Sequence, residues 1–138
     1  MREENRGFSL VEIIVVIAIM AILVGIITPA YLRYLEKTRE QKDLSAAGEI
    51  YRAAEIVVYT GEYDISEQVL VTFGEDGISL SASFLSTAEA ENILREHFGE
   101  QYSTAVPVSK KYRDKTYKVS IEPPEEGSEV PRLSDGWY

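Results

Sequence analysis

The chain has 138 residues, a formal net charge of −9, no cysteine and a single histidine, His97. That length suits one compact domain with one extended element, and the composition excludes a disulfide framework, a thiolate metal site and a transition-metal cluster. Residues 61–138 hold fifteen acidic and seven basic residues, so this half keeps an exposed domain soluble and disfavours nucleic-acid binding through it.

The chain opens on a short neutral segment, residues 1–7, in which Arg2 and Arg6 offset Glu3 and Glu4. Twenty consecutive uncharged residues then run from Ile13 to Leu32. A helix rises about 1.5 Å per residue, so such a run reaches about 30 Å, the hydrocarbon thickness of a bilayer. It reads as a membrane span. The chain past the helix is too short to wrap such a rod on all sides. A conventional secretory signal does not fit, because the start is not basic and the core is long. No small-x-small cleavage site follows, only Thr28-Pro29-Ala30-Tyr31-Leu32. Basic residues flank the span on both sides, Arg2 and Arg6 before it and Arg33, Lys37 and Arg39 after it, so charge counting does not set the topology.

One residue interrupts the apolar pattern at its start, Glu12 within Gly7-Phe8-Ser9-Leu10-Val11-Glu12. A carboxylate at mid-span costs roughly 2.5–3.5 kcal/mol on insertion scales, less near the interface, and such a residue is a functional candidate by default. The hexapeptide followed by a long Ile/Val/Leu helix resembles the processing and assembly signature of type IV prepilins. The resemblance covers residues 7 to about 60 and says little about residues 61–138.

The resemblance implies cleavage between Gly7 and Phe8 by a membrane-embedded prepilin peptidase, with residues 1–7 as leader. It implies N-methylation of Phe8, from a methyl donor, and a cytoplasmic N-terminus for the precursor. Glu12 takes the place of the family's glutamate, and Pro29 sits where many members carry a helix-perturbing proline. The partners implied are copies of the chain itself in a helical homopolymer, the peptidase, an assembly platform with its ATPase, and membrane lipid before assembly; no bound cofactor is implied. The chain is expected first in the cytoplasmic (inner) membrane and then in a cell-surface filament. The function implied is a structural subunit of a type IV pilus or related filament. A type II secretion pseudopilin or competence pilin is an alternative, and a non-polymerising, single-pass, membrane-anchored binding protein is a further one.

The chemistry of these residues is consistent with that reading. Gly7 has no side chain to keep a protease from its bond. Cleavage leaves a protonated amine on Phe8, four residues before Glu12, and amine and carboxylate attract strongly in a low dielectric when their geometry is good. Glu12 has two partners open to it, the amine of its own chain or that of the next subunit; the second fixes axial register. Pro29 removes a backbone donor four residues after Gly25, which gives either a tolerated bend or a segment that extends on polymerisation.

Beyond the span, Glu36 to Asp43 is polar on every side, with Arg39 and Asp43 spaced i,i+4 and Glu36 and Arg39 spaced i,i+3 for ion pairs. Apolar spacing returns at Ala47, Ile50, Tyr51, Ala54, Val57 and Val58, the stripe expected to carry a globular domain. One helix is therefore expected from about Phe8 to Tyr59, apolar over 8–32 and amphipathic over 33–60, with Gly61 ending it. Tyr31, Tyr34, Tyr51 and Tyr59 along it suit packing.

Residues 61–138 are expected to form an acidic domain with an antiparallel sheet, so that the fold class is α+β and pilin-like. Val69, Val71 and Phe73 alternate with polar or outward residues, Gly74-Glu75-Asp76-Gly77 signals a turn, and Ile78, Leu80, Ala82 and Phe84 alternate with Ser79, Ser81 and Ser83. Ser86-Thr87-Ala88-Glu89 fits a capping box ahead of a short helix with Ala90, Ile93, Leu94 and Phe98 inward and Gly99 after it. Tyr117, Val119 and Ile121 mark a third strand stopped by Pro123-Pro124. Glu125 to Tyr138 shows no period and reads as a loop.

No catalytic constellation accompanies these elements, so no enzymatic function is expected. His97 suits capping or packing at a helix end. Glu125, Glu126, Glu129 and Asp135 match no calcium loop and read as solvated charge. The serines of the hairpin form a solvent-facing ladder without a base, and no glycine-rich phosphate loop is present.

Overall fold

The computed structural model describes residues 8–60, 65–128 and 130–138. The chain contains helix α1 (Leu10–Thr60), strands β1 (Val69–Gly74) and β2 (Gly77–Ala82), helix α2 (Thr87–Phe98), a 3₁₀ turn (Glu100–Ser103), and strands β3 (Tyr117–Glu122) and β4 (Arg132–Trp137). It divides into two compact units, Met1–Glu36 and Lys37–Tyr138. The first holds the apolar part of α1. The second holds the rest of α1 and a four-stranded antiparallel sheet of order β2-β1-β3-β4. This is the α+β arrangement expected. The expected helix terminator, Gly61, lies outside the described residues.

Burial in the second unit follows sequence period. On α1 the buried positions are Asp43, Ala47, Ile50, Ala54 and Val58, three or four residues apart and therefore on one face. On β1 and β3 alternate residues are buried, and the register sets Val69 opposite Ile121, Val71 opposite Val119 and Phe73 opposite Tyr117. These side chains and the α1 stripe form one core, with Leu94 of α2 and Ile78 of β2 completing it. Full burial of such an aliphatic or aromatic side chain is worth about 1.5–3 kcal/mol, so the core rests on fewer than a dozen and a half residues. The polar face of the sheet is tied by hydroxyls, Thr72 Oγ1 to Ser79 Oγ at 2.6 Å and Gln68 Nε2 to Ser120 Oγ at 2.7 Å.

The turn between β1 and β2 depends on Gly77. Its φ is +90°, a conformation open to glycine at no steric cost. An added Cβ would stand 2.6 Å from the carbonyl oxygen of Ser103. The turn thereby lies directly against the 3₁₀ turn. Ser86 begins α2 with a capping box: Glu89 N–H donates to Ser86 Oγ at 3.4 Å, and Ser86 N–H donates to Glu89 Oε2 at 2.9 Å. The Ser86 hydroxyl, which donates to Glu89 Oε2 at 2.6 Å, and then the Ser86 N–H hold the exposed Glu89 carboxyl below its usual range.

Three expectations are corrected. First, Arg132–Trp137 is a strand paired with β3 along its whole length, not a loop, and the pairing continues through reciprocal Thr116–Tyr138 backbone bonds of 3.0 Å. Its period is hidden because the face carrying Leu133 and Trp137 carries Asp135 between them. That carboxylate accepts the Tyr117 hydroxyl at 2.5 Å, and Trp137 stacks on Tyr112 at 4.3 Å between centroids. Second, Phe84 does not extend β2. The strand ends at Ala82, the chain turns through an Ala82 carbonyl to Leu85 N–H bond, and Phe84 is 40 % exposed. Third, Asp43 is not a solvated partner on a polar helix face. It is 2 % exposed, and its two carboxylate oxygens accept the backbone N–H groups of Val108, at 2.9 Å, and Ser109, at 2.8 Å. One buried carboxylate thus satisfies two successive amides of the 105–116 loop and fastens that loop to α1. Nearby, the exposed Lys111 ammonium stands 3.6 Å from Glu40.

Two predictions test this packing. Asp43→Ala strands one buried and one part-buried amide at roughly 1–3 kcal/mol each, so denaturant unfolding followed by Trp137 fluorescence should show a loss of about 2–6 kcal/mol; an unchanged midpoint and slope would exclude the anchor. The second concerns Tyr117, whose hydroxyl is raised above its ordinary value of 10.0 by burial and then by the bond to Asp135. Folding therefore favours the protonated phenol. The associated stability is whole below about pH 10 and drains as pH climbs past it toward the native value. Wild-type melting temperature should fall more steeply than that of Tyr117→Phe between about pH 9 and pH 11.

Candidate functional site

Every described residue from Phe8 to Tyr34 is exposed in the isolated chain. The run includes Phe8, 85 % exposed, and sixteen further large apolar side chains up to Leu32 that stand in the open. The helix is long and apolar enough to cross a membrane. Contiguous apolar surface on soluble monomers rarely exceeds a few hundred Å², so a surface of this extent requires lipid or other protein against it.

The sequence folds as a helix here for ordinary reasons. Apolar side chains stabilise it once covered, and its first turn is capped. Ser9 stands before the first helical residue, Leu10, and its hydroxyl accepts the Val11 N–H at 3.3 Å. Glu12 reaches back, and its Oε2 accepts the Ser9 N–H at 2.8 Å. This is the reciprocal logic of a capping box, with the serine hydroxyl engaging one residue earlier than usual. The carboxylate sits at the positive end of the helix dipole. The site expectation did not include this bond, although its signal was present: Ser9-Leu10-Val11-Glu12 has the Ser-x-x-Glu spacing of Ser86-Thr87-Ala88-Glu89.

Of the expected site residues, Phe8 and Glu12 lie at the exposed start of α1, and Gly7 lies outside the described residues. Pro29 lies within the helix, which continues through it. The proline supplies no N–H to the Gly25 carbonyl. Side chains engage backbone carbonyls on both sides of this gap, Thr28 Oγ1 donating to Val24 O at 2.6 Å and Arg33 Nε to Pro29 O at 3.3 Å. A Cβ at Gly25 would meet nothing within 4 Å, so packing within the chain does not demand glycine there.

His97 is exposed, with Nδ1 3.0 Å from the Ile93 carbonyl oxygen. Among the described residues no group of three or more His, Asp or Glu side chains converges as a metal site.

The family model for the prokaryotic N-terminal methylation motif matches residues 4–28. The chain is 34 % identical over 93 residues to a type IV major alpha-pilin of Moraxella bovis, an alignment covering 65 % of this chain and 56 % of that one. It is 32 % identical over 62 residues to the type IV major fimbrial protein FimA of Dichelobacter nodosus, covering 45 % and 40 % respectively. The chain thus spans roughly two fifths to just over half the length of these relatives. No solved structure matches it at comparable stringency. The methylation motif, the long helix with its apolar first half and small antiparallel sheet, and these relatives are the features by which the chain is similar to type IV pilins.

Proposed function

We propose that the chain is the structural subunit of a type IV pilus or a related filament, made as a single-pass precursor in the cytoplasmic membrane and assembled through α1 into a surface polymer. The observation that carries this reading is an uncovered apolar stretch of helix whose single carboxylate, Glu12, lies within the matched N-terminal methylation motif. In this reading residues 1–7 are the leader and prepilin peptidase cuts between Gly7 and Phe8. Phe8 is N-methylated, residues 8–32 serve first as span and then as filament core, and 33–60 continue the helix into the acidic domain of 61–138. The assembly platform and its ATPase extract the subunit from lipid.

The capping bond refines the role of Glu12. Before cleavage, a bond to the Ser9 amide reduces the desolvation cost of a carboxylate near the membrane. After cleavage, the same oxygens face a new cation, the amine of Phe8. Moving from a backbone donor in its own chain to the amine of a neighbouring subunit would set axial register, since an unpaired amine or carboxylate in an apolar core costs several kcal/mol. Pro29 and Gly25 supply a stretch with one missing hydrogen bond where the helix lengthens on assembly.

Intact mass of the membrane-extracted chain should show loss of residues 1–7 and one added methyl; an unprocessed N-terminus in a host with an active peptidase sinks the reading. Glu12→Gln separates the two roles of the side chain. A glutamine still caps Ser9 but carries no charge, so the variant should insert and fold normally while surface filament falls roughly tenfold or more. Filaments at wild-type yield and stagger would show that register does not depend on that charge.

A further inference from the structure

Among the described residues of this acidic chain there is a concentrated basic cleft. Arg39 and Lys42 of α1 and Arg113 of the 105–116 loop line a depression of about 490 Å³ whose other walls are Pro107 and Val108. Arg39 and Lys42, three residues apart, share a helix face. The Asp43 carboxylate builds the opposite wall: by holding the Val108 and Ser109 amides it lays Pro107-Val108 against the helix and brings Arg113 across from Lys42.

The concentration of charge is local. Residues 37–43 and 107–115 together hold seven basic and three acidic residues, while the rest of the chain holds seven basic and twenty acidic. Of the three acids, Asp43 is buried beneath the loop, Glu40 is paired with Lys111, and Asp114 is exposed, next in sequence to Arg113. Lys42 and Arg113 are exposed. Two sequence segments more than sixty residues apart are thus fastened together so that a net-negative protein presents cations around one hollow.

We propose that this cleft holds the phosphate headgroup of an anionic phospholipid while the chain resides in the membrane. Charge selects an anion, and chain length selects the lipid. Arg39 and Lys42 follow Leu32, the last residue of the uncharged run, by seven and ten residues. That is a helical rise of about 10–15 Å at most. The headgroup zone extends about 5–8 Å beyond the hydrocarbon on each side, and arginine and lysine stems reach back toward it. The proposal rests on the membrane span of the proposed function.

The test uses the full chain reconstituted in phosphatidylcholine bilayers doped with spin-labelled phosphatidylglycerol or spin-labelled phosphatidylcholine. Wild-type chain should favour phosphatidylglycerol roughly fivefold or more, the worth of about one basic side chain at an anionic surface. Lys42→Gln/Arg113→Gln should abolish the preference with Trp137 emission unchanged, and Arg95→Gln, a change on the exposed face of α2, should keep it. Equal association of both lipids with an inserted wild-type chain overturns the site and leaves the filament reading standing. Protection of Lys42 from acetylation by inorganic phosphate, or by duplex DNA, as fully as by phosphatidylglycerol overturns the assignment to lipid. A chain that alkaline carbonate strips from the bilayer overturns the span, and the site with it.

Discussion

Covering the first half of α1 is the constraint from which the other features follow. The described side chains from Phe8 to Leu32 are exposed in the isolated chain. An apolar surface of this extent in water is unstable against anything that buries it. Two covers exist for a helix of this length, hydrocarbon and other helices of the same kind. Exchange of one for the other is close to neutral in hydrophobic terms, because lipid tails and leucine side chains are similarly apolar. The choice between membrane and filament must then turn on packing and on polar groups. Among the described residues from Phe8 to Leu32 the polar side chains are few: Ser9, Glu12, Thr28 and Tyr31.

Two carboxylates on α1 show how one helix manages both solvents. Glu12 accepts an amide of its own first turn, and Asp43 accepts two amides of a loop distant in sequence. Each meets the rule that a carboxylate leaving water needs N–H groups around it. They differ in permanence. Asp43 is enclosed, so its bonds last as long as the domain is folded. Glu12 is exposed, so water competes for its bond to Ser9. A fixed anchor and an exchangeable one on the same helix suit a domain that stays rigid and a segment that changes surroundings.

Much of this was legible from local pattern. The helix, the hairpin, the α2 cap and β3 each follow from a period of two or of three to four with the right terminal residues. What escaped notice did so for identifiable reasons. In β4 the inward position between Leu133 and Trp137 is Asp135, so the strand has no apolar alternation, and its place is set by Tyr117 and Tyr112, which are distant in sequence. Asp43 looked like one more charge on a polar stretch, because a carboxylate held by backbone amides leaves no trace in side-chain composition. It falls four residues before Ala47, on the core stripe, and that spacing was the available sign. The Ser9 cap has the same four-residue form as the Ser86 cap, but its glutamate also falls four residues after Phe8, where an ion pair is the competing explanation. Phe84 continues the alternation of β2 in sequence, but the chain turns after Ala82.

The margins of the sheet bear on how a chain with one deliberately uncovered surface avoids sticking through others. An unpaired strand edge is a template for any passing chain. On one side, β2 is the outer strand, and the carbonyl of Ser103 in the 3₁₀ turn stands so close to Gly77 that only glycine fits. On the other, β4 is outermost and six residues long. It begins at Arg132, whose guanidinium is engaged by Glu122 at 3.0 Å and Glu125 at 2.6 Å. It carries Asp135 on its inner face, where a slip of register would bring a carboxylate against the apolar residues of β3. Short length, a fixed charge and an inward carboxylate are the devices that keep edge strands from pairing wrongly. The feature that hides β4 from the sequence pattern is therefore also what restrains its edge.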